Sequence, residues 1–291
     1  MSRNTCRHLI SLADLSDAQL RSLVERGAAF ARSGQLPTSA LQDRVVGIYF
    51  RKTSTRTRTA FSVAALRLGA KVVSYGPNDL QENTGETADD TGRTLARMLD
   101  ALVARTAGSF EEMRVLAAQN RMSVINAMTA DEHPTQALAD LTTMHNRFGR
   151  LEGLRVLYVG EGNNTAAALA LALPRFADTE LHLRTPAGYG LSQSTLEAAL
   201  EHGRATGSVV DQGHDAERFT GAWGEIFAEG DPFFSPHLSK SYDDFVPEPG
   251  LTVKLATGAD LVRMIKSGEF VSQLHLGALM LAELRSFISL R

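Results

Sequence analysis

The chain has 291 residues, 43% of them hydrophobic, enough for one large core or two moderate ones, and the length favours two domains. Its 30 Lys and Arg stand against 33 Asp and Glu with no long block of one sign, which disfavours a general nucleic-acid or membrane-surface role. A single cysteine, Cys6, excludes an internal disulfide and any cysteine-rich metal site. No stretch of the N-terminal MSRNTCRHLISLADLS has the apolar run of a signal peptide, and the longest such run, Ala166 to Leu173, is far short of the roughly 20 residues of a membrane span, so a cytoplasmic protein is expected.

An amphipathic helix is predicted over about Ser16 to Arg32. Short apolar runs then alternate with helical patterns: VVGIYF, a helix after Ser54, KVVSYG, a helix through TGRTLARML, ALVAR, a helix near Phe110 to Asn120, and MSVINAM. Repeated βα of this kind predicts a parallel sheet with helices on its faces. A second series begins at LRVLYVG and continues through TELHLRT, a helix from Ser192 to Arg204, GSVVDQG, GEIFAEG and GLTVKLATG. The expected fold is α/β, two doubly wound parallel-sheet domains over residues 1–146 and 147–291, dividing near NRFGRLEG. The apolar-periodic final segment, VSQLHLGALMLAELRSFISL, is expected to form a C-terminal helix packing back across both. The Pro-containing stretch at 231–250 reads as a binding lid or a connector.

The segment FRKTSTRTRTAFSVAALRLGA carries Arg51, Lys52, Arg56 and Arg58 where a helix begins, with Ser54 and Thr55 as N-cap types and Phe61, Ala64, Ala65 and Leu68 at helical spacing. A helix N-terminus is already partly positive, and a cation there costs roughly 0.3–1 kcal/mol. An anion would offset this: backbone N–H groups, hydroxyls and arginine forks together suit a phosphate. A solvated basic face or a nucleic-acid patch is the alternative reading.

Ligands of open parallel sheets sit outside the carboxyl ends of the strands. In the first half those ends carry RKTSTRTR after VVGIYF, Arg105 closing ALVAR, and DEHPTQALADL after MSVINAM. In the third cluster Pro134 suits a first helical turn, which puts His133 and Gln136 around the helix entrance. Cations for a phosphate with a His and a Gln nearby suit a substrate holding a phosphate beside a carbonyl or amide, and acyl transfer from an acyl phosphate fits. A P-loop signature is absent.

On these residues the chain resembles the aspartate and ornithine carbamoyltransferase family. STRTR (residues 54–58), Arg105 after its strand and HPTQALADL (133–141) match the family's carbamoyl phosphate motifs in identity, order and separation, and the likeness continues through VLYVGEGNN. The resemblance implies a two-domain α/β enzyme, a homotrimer with active sites between subunits, and neither metal nor organic cofactor. It gives Ser54, Thr55, Arg56, Thr57 and Arg105 the phosphate. His133, with Thr55 and Arg105, inherits polarisation of the carbonyl oxygen, and Gln136 the carbamoyl NH₂. Gln81, in GPNDLQENTGETADDTGRTL, matches the glutamine that ornithine enzymes send into the neighbouring subunit's site. The mobile lysine of aspartate enzymes is missing near Thr84 and Gly85.

The acceptor half departs from the pattern. GEGNN resembles the ornithine branch and makes Asn164 a candidate acceptor ligand, although Gly160-x-Gly162 also reads as a tight strand-to-helix turn. The ornithine motif of an Asp followed by Ser-Met-Gly is replaced by GAWGEIFAEGDPFFSP, with Glu229 or Asp231 as substitutes. The His-Cys-Leu-Pro motif is replaced by LTVKLATG, which brings in Lys254, and the Arg before the final helix is replaced within FVSQLHLG. The expected function is therefore carbamoyl transfer to an amine, of an amino acid or related molecule, other than standard ornithine or aspartate. The alternatives are a carbamoyl phosphate-binding relative or scaffold subunit without turnover and, least favoured, a nucleic-acid module.

Overall fold

The apolar runs and capped helical segments fold as two four-stranded sheets in a computed structural model that describes residues 8–33, 39–214 and 225–230. The expected C-terminal helix, the 231–250 stretch and the LTVKLATG strand lie outside those residues.

Helix α1, Asp17–Ser33, opens on a capping box: the Ser16 N–H donates to Gln19 Oε1 at 2.8 Å while Gln19 N–H donates to Ser16 Oγ at 3.2 Å. The first sheet then alternates β1 (Val45–Phe50), α2 (Thr55–Arg67), β2 (Lys71–Tyr75), α3 (Ala88–Leu95), β3 (Ala101–Arg105), α4 (Phe110–Leu116), β4 (Ser123–Met128) and α5 (Pro134–Phe148). Its strands are all parallel in the order β2-β1-β3-β4. Ser54, Thr87 and Ser109 cap α2, α3 and α4, each accepting from a backbone N–H three residues on. Gly149, at φ 75°, stops α5 in the left-handed conformation that a side chain resists.

The second sheet is built from β5 (Leu154–Val159), α6 (Asn164–Ala172), β6 (Glu180–Arg184), α7 (Gln193–Thr206), β7 (Val209–Gly213) and β8 (Glu225–Gly230), in the order β7-β6-β5-β8. GEIFAEG is a strand as expected, but β8 runs antiparallel to β5, so this sheet is mixed. Helix α6 is apolar all round and every residue from Ala166 to Ala172 is buried, the mark of a helix enclosed by its neighbours.

The N-terminal segment bridges the two halves. Leu9 adds a parallel bridge to the edge of β4, exchanging backbone hydrogen bonds with Val124 and Asn126 at 2.8 Å. Beyond it, Leu12, Leu20 and Val24 share one core with Leu141 of α5 and with Leu154, Leu169 and Leu173 of the second half. Buried Arg175 holds this crossing in place, donating to Leu12 O, Leu15 O and Asp17 at 2.9, 2.6 and 2.6 Å. Helix α2 packs more lightly than its pattern predicts: only Ala65 is buried, Phe61 and Leu68 are half-buried, and Ala64 is exposed. It covers the side of the sheet that ends in the largely exposed edge strand β2.

Candidate active site

Strand order β2-β1-β3-β4 reverses the winding between β1 and β3, and the crevice outside the carboxyl ends at such a reversal is where open α/β sheets bind ligands. The first two sequence clusters end there. After Phe50 three polar residues lead to Ser54, whose Oγ accepts from Thr57 N–H at 3.3 Å. The first turn of α2 carries no acidic residue, and Thr55 and Arg56 are exposed at its positive end. The four cations separate in role. Arg51 forms a two-pronged pair with Glu112, both contacts at 2.7 Å, and Arg58 donates to Ser74 Oγ at 2.7 Å. The side chains of Lys52 and Arg56 make no hydrogen bond or ion pair among the described residues.

Arg105 closes β3 opposite this helix end and is only 8% exposed. Its Nε is buried without a hydrogen-bond partner, no acid pairs with it among the described residues, and burial holds its pKa below the usual arginine range. Burying a cation without a counter-ion is unfavourable, so an anion at this pocket would offset the cost.

The third cluster follows β4. Thr129 closes a tight turn with Glu132, accepting from its N–H at 3.1 Å and donating to its carbonyl at 3.1 Å. Pro134 then starts α5 with His133 at the N-cap; the His133 side chain makes no cap bond, which leaves the imidazole for other work. His133 is 7% exposed, with Nδ1 3.3 Å from Thr135 Oγ1. Burial, and then the charge of Arg105, bring its pKa down to about 4, so the ring is neutral at pH 7. If Thr135 donates to Nδ1, the ring proton lies on Nε2, a neutral donor for an oxygen that gains charge. One turn on, Gln136 Nε2 donates to Asp140 Oδ1 at 3.0 Å, which leaves Gln136 Oε1 as the acceptor. Asp140 Oδ2 is buried without a partner, and burial raises the Asp140 pKa.

The second half joins at the carboxyl end of β5. Asn163 caps α6 through Oδ1, and Gly162 lies so close to the 189–191 loop that a Cβ would stand 2.5 Å from Gly190 C; the glycine there serves chain approach. Asn164 ties the two halves together: its carbonyl accepts from His133 N–H at 3.1 Å and its Nδ2 donates to Thr129 O at 2.7 Å. Because a carbonyl only accepts, this bond fixes the amide, and Asn164 presents Oδ1 to the site.

Ser54, Thr55, Arg56, Thr57, Arg105, His133, Gln136 and Asn164 thus surround the carboxyl ends of β1, β3, β4 and β5. Gln81 is not among them within one chain. It is exposed in a turn after β2, where its Oε1 accepts from Thr84 Oγ1 at 2.7 Å. Glu229 is paired in register with Arg155, four residues before the carboxyl end of β5, about 13 Å along the strand from Val159. It therefore lies beside the amino end of β5, at the opposite end of the strands from the site, because β8 runs antiparallel where a parallel strand was expected. Lys254 lies outside the described residues. Sequence reasoning missed Asp140, Thr135 and the Arg51–Glu112 pair. Only the Gln136–Asp140 spacing of one helical turn signalled such a contact.

Residues 7–146 match the model of the aspartate/ornithine carbamoyltransferase carbamoyl-P binding domain. An ornithine carbamoyltransferase of Nitrosococcus oceani is 38% identical over 68% of this chain, although the match spans only 65% of that protein's length. One from Thermosynechococcus vestitus is 35% identical over 79% of this chain and 77% of its own. The solved ornithine carbamoyltransferase of Pyrococcus furiosus superimposes with a TM-score of 0.67 at 32% identity, covering 74% of this chain and 69% of that one. With the donor motifs assembled on the first sheet and relatives reaching well into the second, the chain belongs to the aspartate/ornithine carbamoyltransferase family, on the side of its ornithine branch.

Proposed function

We propose that the protein is a carbamoyltransferase that moves the carbamoyl group of carbamoyl phosphate to an amine and releases phosphate. The observation that carries this reading is Arg105, a buried cation lacking an acidic partner among the described residues, beside a His133 kept neutral. Phosphate is held by Ser54, Thr55, Arg56, Thr57 and Arg105 at the start of α2. The amine lone pair attacks the carbonyl carbon, and charge developing on the carbonyl oxygen is met by His133 Nε2–H, the Thr55 hydroxyl and Arg105. Gln136 Oε1 accepts from the carbamoyl NH₂. The C–O bond to phosphate then breaks, and a proton from the amine leaves with the phosphate. No side-chain nucleophile is needed.

An acceptor other than ornithine or aspartate is part of the proposal, supported by the absent second-half motifs. Asn164 Oδ1 suits a donor group of that acceptor. The carbamoyl phosphate-binding domain is assigned to 1–146 and the acceptor domain to 147–291. A homotrimer completed by Gln81 from the neighbouring subunit is supported by exposed apolar residues Val63, Leu66 and Val73 on α2 and β2. The same absent motifs favour a second reading, a carbamoyl phosphate binder without turnover.

The test is incubation with carbamoyl phosphate and a panel including ornithine, aspartate, putrescine and lysine, following phosphate and carbamoylated product. Turnover with one amine that is lost in Arg56→Ala and His133→Ala is the expected result. Saturable carbamoyl phosphate binding with no release for any amine favours the second reading, and undiminished turnover in both variants overturns the first.

A further inference from the structure

The donor pocket needs Arg105 and the start of α2 held at a fixed separation, yet they come from different strand ends. One side chain spans them. Arg51, directly after β1, donates through Nη1 and Nη2 to Glu112 Oε1 and Oε2, both at 2.7 Å, and through Nε to Thr106 O at 3.2 Å. Its backbone N–H and that of Lys52 donate to Arg105 O at 3.0 and 3.4 Å. Glu112 stands in the first turn of α4, so the pair links the loop after β1 to the loop and helix after β3. Gly108 makes room for it: a Cβ there would stand 2.1 Å from Glu112 Oε2 and 2.4 Å from Arg51 Nη2. The other side of the same loop is pinned by Ala107 N–H to Met128 O at 3.2 Å and Ala130 N–H to Gly108 O at 2.9 Å.

We propose that Arg51 and Glu112 form a brace that positions Arg105 for the anion, and that Arg51, although it belongs to the basic cluster, does not bind the anion itself. This rests on the carbamoyl phosphate reading above. The guanidinium is already occupied along its fork by a carboxylate and a carbonyl, a planar arrangement that lysine cannot reproduce. Glu112 is then an acid that favours anion binding, the reverse of what its charge alone would do.

That reversal makes the test. Inorganic phosphate and carbamoyl phosphate are titrated calorimetrically into the purified full chain, with melting temperatures measured alongside. Glu112→Gln removes a negative charge near the pocket, and is expected to weaken both anions about ten-fold. Arg51→Lys, which keeps the charge and loses the fork, is expected to do the same, as is Gly108→Ala, which displaces the pair and alters neither charge. The double variant Arg51→Lys/Glu112→Gln should be no weaker than either single one. Anion affinity unchanged or improved in Glu112→Gln and Gly108→Ala overturns the brace even if both variants melt lower, since a purely structural pair would cost stability alone. If the unsubstituted protein binds neither anion, the carbamoyl phosphate reading falls and the brace with it.

Discussion

Glu132 and His133 are neighbours whose ionisation burial suppresses in opposite senses, which makes the pH dependence of stability a sharp test of how the site is built. Glu132 is 3% exposed; burial pushes its pKa up from 4.5 to about 7, against the Leu12 N–H (2.8 Å to Oε1) and the Ser11 hydroxyl, with Asp14 and Arg114 contributing smaller, opposed effects. His133 moves from 6.5 down to about 4. Between pH 4.5 and 7 the folded chain keeps a proton on Glu132 that the unfolded chain has lost, so this group makes stability fall as pH rises through that window. Between pH 4 and 6.5 the unfolded chain binds a proton at His133 that the folded chain refuses, so stability rises with pH there and is lost as pH falls. Each shift corresponds to about 3 kcal/mol at full expression, and from pH 5 to pH 8 the two contributions of about 2 kcal/mol nearly cancel. Glu132→Gln keeps an acceptor for Leu12 N–H and removes only the Glu132 contribution. Relative to the unsubstituted protein it should gain about 2 kcal/mol more stability at pH 8 than at pH 5, read from urea unfolding at a series of pH values. Parallel curves for the two proteins would refute the assignment of Glu132 as a carboxyl held neutral inside the fold.

Arg105→Met should separate stability from binding: removing a buried cation without an acidic partner is expected to stabilise the ligand-free protein by about 1–2 kcal/mol in thermal unfolding while abolishing phosphate binding by calorimetry. Asp140→Leu removes the acceptor that orients the Gln136 amide, so the KM for carbamoyl phosphate should rise about ten-fold, near 1.4 kcal/mol, with the affinity for inorganic phosphate unchanged because phosphate does not use Gln136. Gly162→Ala, with its new Cβ 2.5 Å from Gly190 C, should destabilise by about 1–3 kcal/mol in urea unfolding while leaving phosphate affinity intact.

The strands that sequence reading recovered are those whose signal is local. VVGIYF, ALVAR and LRVLYVG are short apolar runs bounded by polar residues, and the helices after them are announced by Ser54, Ser109 and Asn163, each of which caps as its type suggests. Relations set by distant parts of the chain were not legible. The direction of β8 depends on how the chain returns to the far side of β5, which the composition of GEIFAEG does not encode, and Glu229 moved away from the site with it. The segment before α1 carries no periodic pattern, yet it bridges both halves through Leu12, Glu132 and Arg175.

Charge at the start of α2 follows the same division between local and distant information. Four cations crowd a helix end that electrostatics disfavours, and sequence alone asks for one compensating anion. Part of the compensation is internal and far away in sequence: Glu112, 61 residues on, takes Arg51. Arg58 turns to Ser74 on the neighbouring strand, which leaves the Lys52 and Arg56 side chains without partners among the described residues. The cation that most demands an anion is Arg105, a single arginine at the end of an apolar run with nothing basic beside it in the sequence. Exposed cations lose little by remaining solvated, whereas a largely buried one gives up much of its hydration, so burial identifies the anion pocket better than the density of positive charge does.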